Sequence, residues 1–213
     1  FVLTADDILD TVPGADHSIS IWFTTGSDIT SNLQVLFAHD DGSTTDGATM
    51  IMIGDDGKLR FQVWDGYKAT MSAVLSTNTL YHVVCTRDLS EYGGSPFGLK
   101  QYLNGVALSY SAGGSQNNQS TGALCIGARD RSPISPLQGV IHEVAYFNTE
   151  LTSAEAIELY SLGLSGDALT HSKSGNIVGY WKNQDSGTWT DFSTNSNDGT
   201  VSGSPVTKFI NSP

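Results

Sequence analysis

Between residues 17 and 147 polar and apolar positions alternate with a period of two, the pattern of strands that bury one face. His17-Ser-Ile-Ser-Ile-Trp-Phe-Thr24 shows it most strictly and predicts Trp22 in the core. Similar runs lie at 33–38, 49–53, 58–64, 81–86, 99–103, 106–109, 123–126 and 140–147. Asp56-Gly57 and Asn104-Gly105 join neighbouring runs, and such dipeptides reach the positive φ of a tight hairpin turn. The period changes once. In Leu151-Thr-Ser-Ala-Glu-Ala-Ile-Glu-Leu-Tyr160 the apolar residues fall at helical spacing, with Thr152 and Glu155 as a capping box and Gly163 as the stop. About eight to ten strands and one short helix predict an all-β sandwich of two antiparallel sheets.

From Gly166 onward the chain is richer in Gly, Ser, Thr and Asn, yet it carries Ile177, Val178, Tyr180, Trp181, Trp189 and Phe192. A flexible linker has no use for so many large apolar side chains. The expectation is a single domain over 1–213, in which 164–213 completes an edge of the sandwich.

Composition narrows the function. The chain has 213 residues, and charged residues make up 15% of them, against roughly 25% in an average globular protein. With 22 acidic and 10 basic residues the net charge is −12, and the Lys and Arg are scattered, which excludes a basic face for nucleic acid. No apolar stretch is long enough to span a membrane as a helix. Asp outnumbers Glu 17 to 5, as expected of turn-capping and calcium-binding loops. The two cysteines, Cys85 and Cys125, sit in apolar runs and read as buried free thiols, with one disulfide as the alternative. The chain opens on Phe1 without a leader-like stretch, consistent with a processed start.

Four blocks in order resemble the laminin-G-like, concanavalin A-like jelly roll. They are Ser18-Ile-Ser-Ile-Trp-Phe23; Leu80-Tyr-His-Val-Val-Cys-Thr-Arg-Asp88 with Gln101-Tyr-Leu-Asn-Gly105; Ala123-Leu-Cys-Ile-Gly-Ala-Arg-Asp130 with Leu137-Gln-Gly-Val-Ile-His-Glu-Val-Ala-Tyr-Phe147; and the helical segment. A fifth, Gly179-Tyr-Trp-Lys followed by Trp189-Thr-Asp-Phe-Ser-Thr-Asn-Ser-Asn-Asp-Gly-Thr-Val201, resembles a block that precedes the jelly roll in many relatives and here follows it. This late placement is similar to laminin-G-like domains in structural proteins of tailed bacteriophages.

The resemblance implies a rim calcium on Asp46 and the Val63 carbonyl, with Asn117, Asn118 and Gln119 as oxygen carriers from a neighbouring loop. This loop offers amides and no acid. A second candidate is Asp191, Asn195, Asn197 and Asp198, whose oxygens recur like the front half of a calcium loop, although Ser202 stands where a closing Glu would be. An Asx-rich hairpin loop is the alternative there. Trp64, Asp65 and Tyr67 end a strand in a Gly-containing loop and are the candidate sugar platform.

Catalysis finds little support. No paired carboxylates lie on one strand, no Gly-x-Ser-x-Gly elbow occurs, and His17, His39, His82, His142 and His171 fall in separate blocks. The expectation is a non-catalytic module, first of all a phage or virus structural component (a head decoration or tail-fibre domain) that adheres to surface glycans. A lectin-like accessory domain of a carbohydrate-active enzyme and a secreted bacterial adhesion module are the alternatives. A virion part implies contacts with other virion proteins and a homo-oligomer.

Overall fold

The computed structural model describes residues 2–3, 16–39, 49–63, 67–88, 90–91, 98–113, 124–129, 134–184 and 187–203. The strands begin with β1 (Val2–Leu3), β2 (His17–Thr25), β3 (Gln34–His39), β4 (Thr49–Ile53) and β5 (Lys58–Val63). They continue with β6 (Tyr67–Val74), β7 (Leu80–Arg87), β8 (Leu99–Leu103), β9 (Val106–Ala107), β10 (Tyr110–Gly113), β11 (Leu124–Ile126) and β12 (Gly139–Phe147). Helix α1 (Ser153–Leu162) and short 3-10 turns at Ala168–Thr170 and Ser174–Asn176 precede β13 (Ile177–Lys182), β14 (Thr188–Trp189) and β15 (Gly199–Val201).

These form two sheets, one ordered β10-β6-β5-β4-β3-β11-β1-β15-β14 and the other β13-β12-β2-β7-β8-β9. Every pairing of named strands is antiparallel. Alternation decides what lies between them. Ile19, Ile21 and Phe23 of β2 point inward with Val83, Cys85 and Val144, against Phe37, Ile51, Ile53, Phe61 and Ile126 of the other sheet. On the far side of the smaller sheet, Val84, Tyr102, Ala145, Phe147 and Tyr180 form a second cluster beneath Leu151, Ala156 and Leu159 of the helical segment.

Helix α1 carries the expected caps. Thr152 and Glu155 make the reciprocal capping box, and Gly163 adopts φ 72° with its N–H donating to the Tyr160 carbonyl. Thr152→Ala should therefore cost about 1 kcal/mol in a urea titration. A loss near zero would mean that packing alone holds the helix.

Two expectations are corrected in detail, and a third, the buried free thiols, agrees with the structure. There are fifteen strands among the described residues, not eight to ten, because β1, β6, β10 and β14 show no strict alternation in the sequence. Trp22 is buried, yet it lies outside the sandwich interior: it packs tilted against His82 and stacks on Tyr160, under the helix. Cys85 and Cys125 are both buried and unbridged, Cys85 in the sandwich core and Cys125 in a small cluster with Val35, Ala38, Met50 and Met52 on the opposite face of the larger sheet.

Candidate functional site

Strand register gathers the candidate rim at one end of the larger sheet. His39 ends β3 opposite Thr49, the first residue of β4, and Thr49 faces Val63, the last residue of β5. Val63 faces Tyr67, which opens β6; Lys68 beside it faces Gly113, the last residue of β10; and Leu124 at the start of β11 faces His39. The strand ends that flank segments 40–48, 64–66 and 114–123 in the sequence are thus neighbours in the sheet. Asp46, Trp64, Asp65, Asn117, Asn118 and Gln119 belong to these segments and lie outside the described residues. Val63 is buried against the sandwich core. Just inside this end, Gln62 and Met50 pair across β4 and β5, both largely buried.

The tail loop is built differently. Asp191 is 6% exposed and makes a bridge to Trp181. Its Oδ1 accepts from the backbone N–H of Tyr180 (2.8 Å) and Ser193 (2.9 Å), and its Oδ2 from Ser193 Oγ (2.7 Å) and the Asn197 N–H (2.8 Å). Asp198 Oδ1 accepts from the Asp191 N–H, while the amides of Asn195 and Asn197 both donate to the Val178 carbonyl. Four donors occupy the Asp191 lone pairs, and four positive hydrogens around a carboxylate repel a cation as they attract the anion. In this arrangement the loop is a hydrogen-bonded turn that does not fit calcium. Among the described residues no group of three or more His, Cys, Asp or Glu is placed to hold a metal ion.

Two further polar clusters sit on the helix-covered face of the smaller sheet. Ser20 Oγ lies 2.8 Å from His82 Nε2, a spacing that also occurs in hydrolytic dyads. Here both residues are buried, His82 Nδ1 has no hydrogen-bond partner, and burial pushes the imidazole pKa down to about 3. Without an orienting acid, and with protonation so disfavoured, His82 is a poor general base. The second cluster surrounds Glu143. A register shift in β12 between Ile141 and Glu143 sets this carboxylate opposite Trp22 on the outer face. Burial raises its pKa to about 7, while its hydrogen bond with Tyr180 and the Lys182 ammonium oppose the rise. Asp167, 24 residues on, comes within electrostatic reach because the α1–β13 connection folds back over the sheet. Nothing local in the sequence announces that neighbour. Asp167 is itself occupied, its Oδ1 accepting from the Leu169 N–H.

Comparisons with known proteins agree on the architecture. Residues 2–156 match the laminin-G model of the concanavalin A-like lectin/glucanases superfamily. A search of curated proteins gives no match. Among solved structures, a Bacteroides ovatus protein provisionally named a carbohydrate binding protein aligns with a TM-score of 0.63 at 19% identity, over 93% of this chain and 54% of its own. The chain thus spans about half the length of that protein. The Ruminococcus gnavus IT-sialidase CBM40 bound to α2,3-sialyllactose aligns at 0.55 and 16% identity, over 68% of this chain and 83% of its own. Domain 4 of an extracellular GH43 arabinanase from Geobacillus stearothermophilus, in complex with arabinotriose, aligns at 0.51 and 19%, over 75% and 72%.

Proposed function

Because the chain belongs to the concanavalin A-like lectin/glucanases superfamily, we propose that it is a non-catalytic glycan-binding module with its site at the β3–β4, β5–β6 and β10–β11 end of the larger sheet. What supports this reading is the register: the strands that precede or follow Trp64 and Asp65, Asp46, and Asn117 to Gln119 in the sequence end next to one another. Sugar recognition needs a flat aromatic face and orienting polar groups, and these segments contain both. In this reading Tyr67 completes the platform. The same rim takes calcium on Asp46 and the Val63 carbonyl, aided by Asn117, Asn118 and Gln119. The structural neighbours in complex with sialyllactose and arabinotriose support a sugar as the ligand.

The finer reading is a virion component, a head decoration or tail-fibre domain that adheres to surface glycans. It is supported by the order of the sequence blocks, with the Gly179-Tyr-Trp block after the helix. A second reading, a lectin-like accessory domain of a secreted enzyme, is favoured by neighbours that are parts of a sialidase and an arabinanase. Light scattering on the eluting protein separates them, since a virion part should assemble into a trimer or onto a lattice and an accessory module should stay monomeric.

Binding should be read on a glycan array with the protein clustered on streptavidin, because weak single sites become measurable through avidity. Neutral glycans should be retained, and Trp64→Ala or Tyr67→Ala should weaken binding about fivefold, the equivalent of ~1 kcal/mol. Chelation should weaken it as well if the rim ion orders these segments. No retained glycan in any format would sink the reading.

A further inference from the structure

The α1–β13 connection covers a carboxyl group that has no use for its charge. Glu143 is 8% exposed, and its Oε2 is fully buried without a hydrogen-bond partner. The Tyr180 hydroxyl is among the groups that act on this carboxyl, and its oxygen accepts the Ala168 N–H at 3.2 Å. Lys182, in register opposite Glu143 on β13, donates to the Gly166 carbonyl at 3.4 Å and lies 5.1 Å from the centre of the Tyr180 ring. Gly166, Asp167 and Ala168 therefore form a cover over Glu143, fixed through Lys182 and Tyr180. A buried carboxyl with one oxygen unpaired is cheap to keep protonated and costly to ionise, unless the cover lifts and admits water.

We infer that Glu143 is a proton-operated latch: protonated, it leaves the Gly166–Ala168 cover closed on the smaller sheet, and ionised, it drives that cover open. The groups facing it are Lys182 and Tyr180 from β13, Asp167 from the cover and His142 beside it on β12, the last held by Thr24 Oγ1 at 2.8 Å. Lys182 favours the ionised form and Asp167 opposes it. On the helix side the same connection is clamped by His171, whose Nε2 lies 3.1 Å from the Glu155 carbonyl and 3.4 Å from Glu158 Oε2, and by Ser172 on Glu158. These contacts hold the far end of the connection, so the cover moves as a short flap.

The direction follows from linkage. In the closed state the Glu143 pKa is raised to about 7, from 4.5 for the hydrated group. Closure is thus strongest below pH 4.5 and weakens as pH rises to about 7, beyond which it is constant. Across that window the opening equilibrium should rise on the order of a hundredfold.

Amide hydrogen exchange at Ala168, corrected for the intrinsic pH dependence, reads the flap directly. The wild-type chain should show opening that increases steeply from pH 5 to 7 and then levels off. Glu143→Gln, which cannot ionise, should show a flat profile. Equal slopes in both proteins would show that Glu143 does not control the cover and would overturn the latch. Should the Gln variant fail to fold, a carbon-13 titration of the wild-type Glu143 carboxyl decides. A midpoint near 7 is expected, and one near 4.5 overturns the inference.

Discussion

Trp181→Ala should lower the free energy of unfolding by about 3–5 kcal/mol, the range for truncating a large buried aromatic. The indole is 0% exposed and packs in the sandwich core, although it comes from the tail. Its Nε1 donates to the Asn197 carbonyl at 2.8 Å, so the truncation also orphans an acceptor. Tyr180, one residue earlier, points to the opposite face and enters the cluster under α1. A single strand of the tail therefore fills both apolar layers. Gly179 makes this geometry accessible, because a Cβ at that position would run into the Trp181 indole. Gly179→Ala should reproduce part of the loss without removing any apolar surface. Urea unfolding followed by far-ultraviolet circular dichroism measures both. A Trp181→Ala cost under 1 kcal/mol would show that residues 164–213 fold as a separate arm and that the single-domain expectation is wrong.

The second large effect belongs to Asp191→Ala. It strips the acceptor from three backbone N–H groups, those of Tyr180, Ser193 and Asn197, and from the Ser193 hydroxyl. Each donor left unsatisfied in a buried setting costs about 1–3 kcal/mol, so a total of roughly 3 kcal/mol or more is expected after partial relaxation. Asp191→Asn, which keeps the shape but replaces one acceptor oxygen by a donor, should fall between. The informative control is calcium. If the loop is a turn, the cost is the same with millimolar calcium and with chelator. If the cost appears only with calcium present, Asp191 is a metal ligand and the hydrogen-bonded loop forms around the ion.

Much of this architecture was legible where one local rule acts alone. The period of two in β2 fixed which of Ile19, Trp22 and Phe23 share a face, and the Thr152–Glu155 pair marked the start of α1 to the residue. What lies beyond each face was not legible. Trp22 has the size of a sandwich-core residue but alternates onto the face of Ser18 and Ser20, and only the docking of α1 shows that this face is roofed by Tyr160. In β6, Tyr67-Lys-Ala-Thr-Met-Ser-Ala-Val74 mixes small, polar and apolar residues, so the ladders with β5 and β10 rather than the side-chain pattern define the strand. The tail loop shows the same limit for chemistry. Oxygen-bearing side chains at 191, 193, 195 and 197 suit a cation or a turn equally well on paper. The N–H groups of Tyr180 and Asn197, contributed by residues on either side of the bend, supply the donors of the turn and are not visible in the spacing. Glu143 and Asp167 met only because a segment between helix and strand folds over the sheet, an event without a local signal.

The placement of β1 between β11 and β15 bears on how the domain responds to force. Val2 pairs with Val201 and Leu3 with Thr200, so the outward ends of these two antiparallel strands lie next to each other. Tension applied through both ends of the chain pulls this pair apart crosswise, loading its hydrogen bonds one after another. Strands drawn past each other lengthwise would share the load among all their bonds at once. The larger sheet should therefore part along the β1–β15 seam at low force, while the broad β2–β12 ladder of the smaller sheet keeps the inner packing closed.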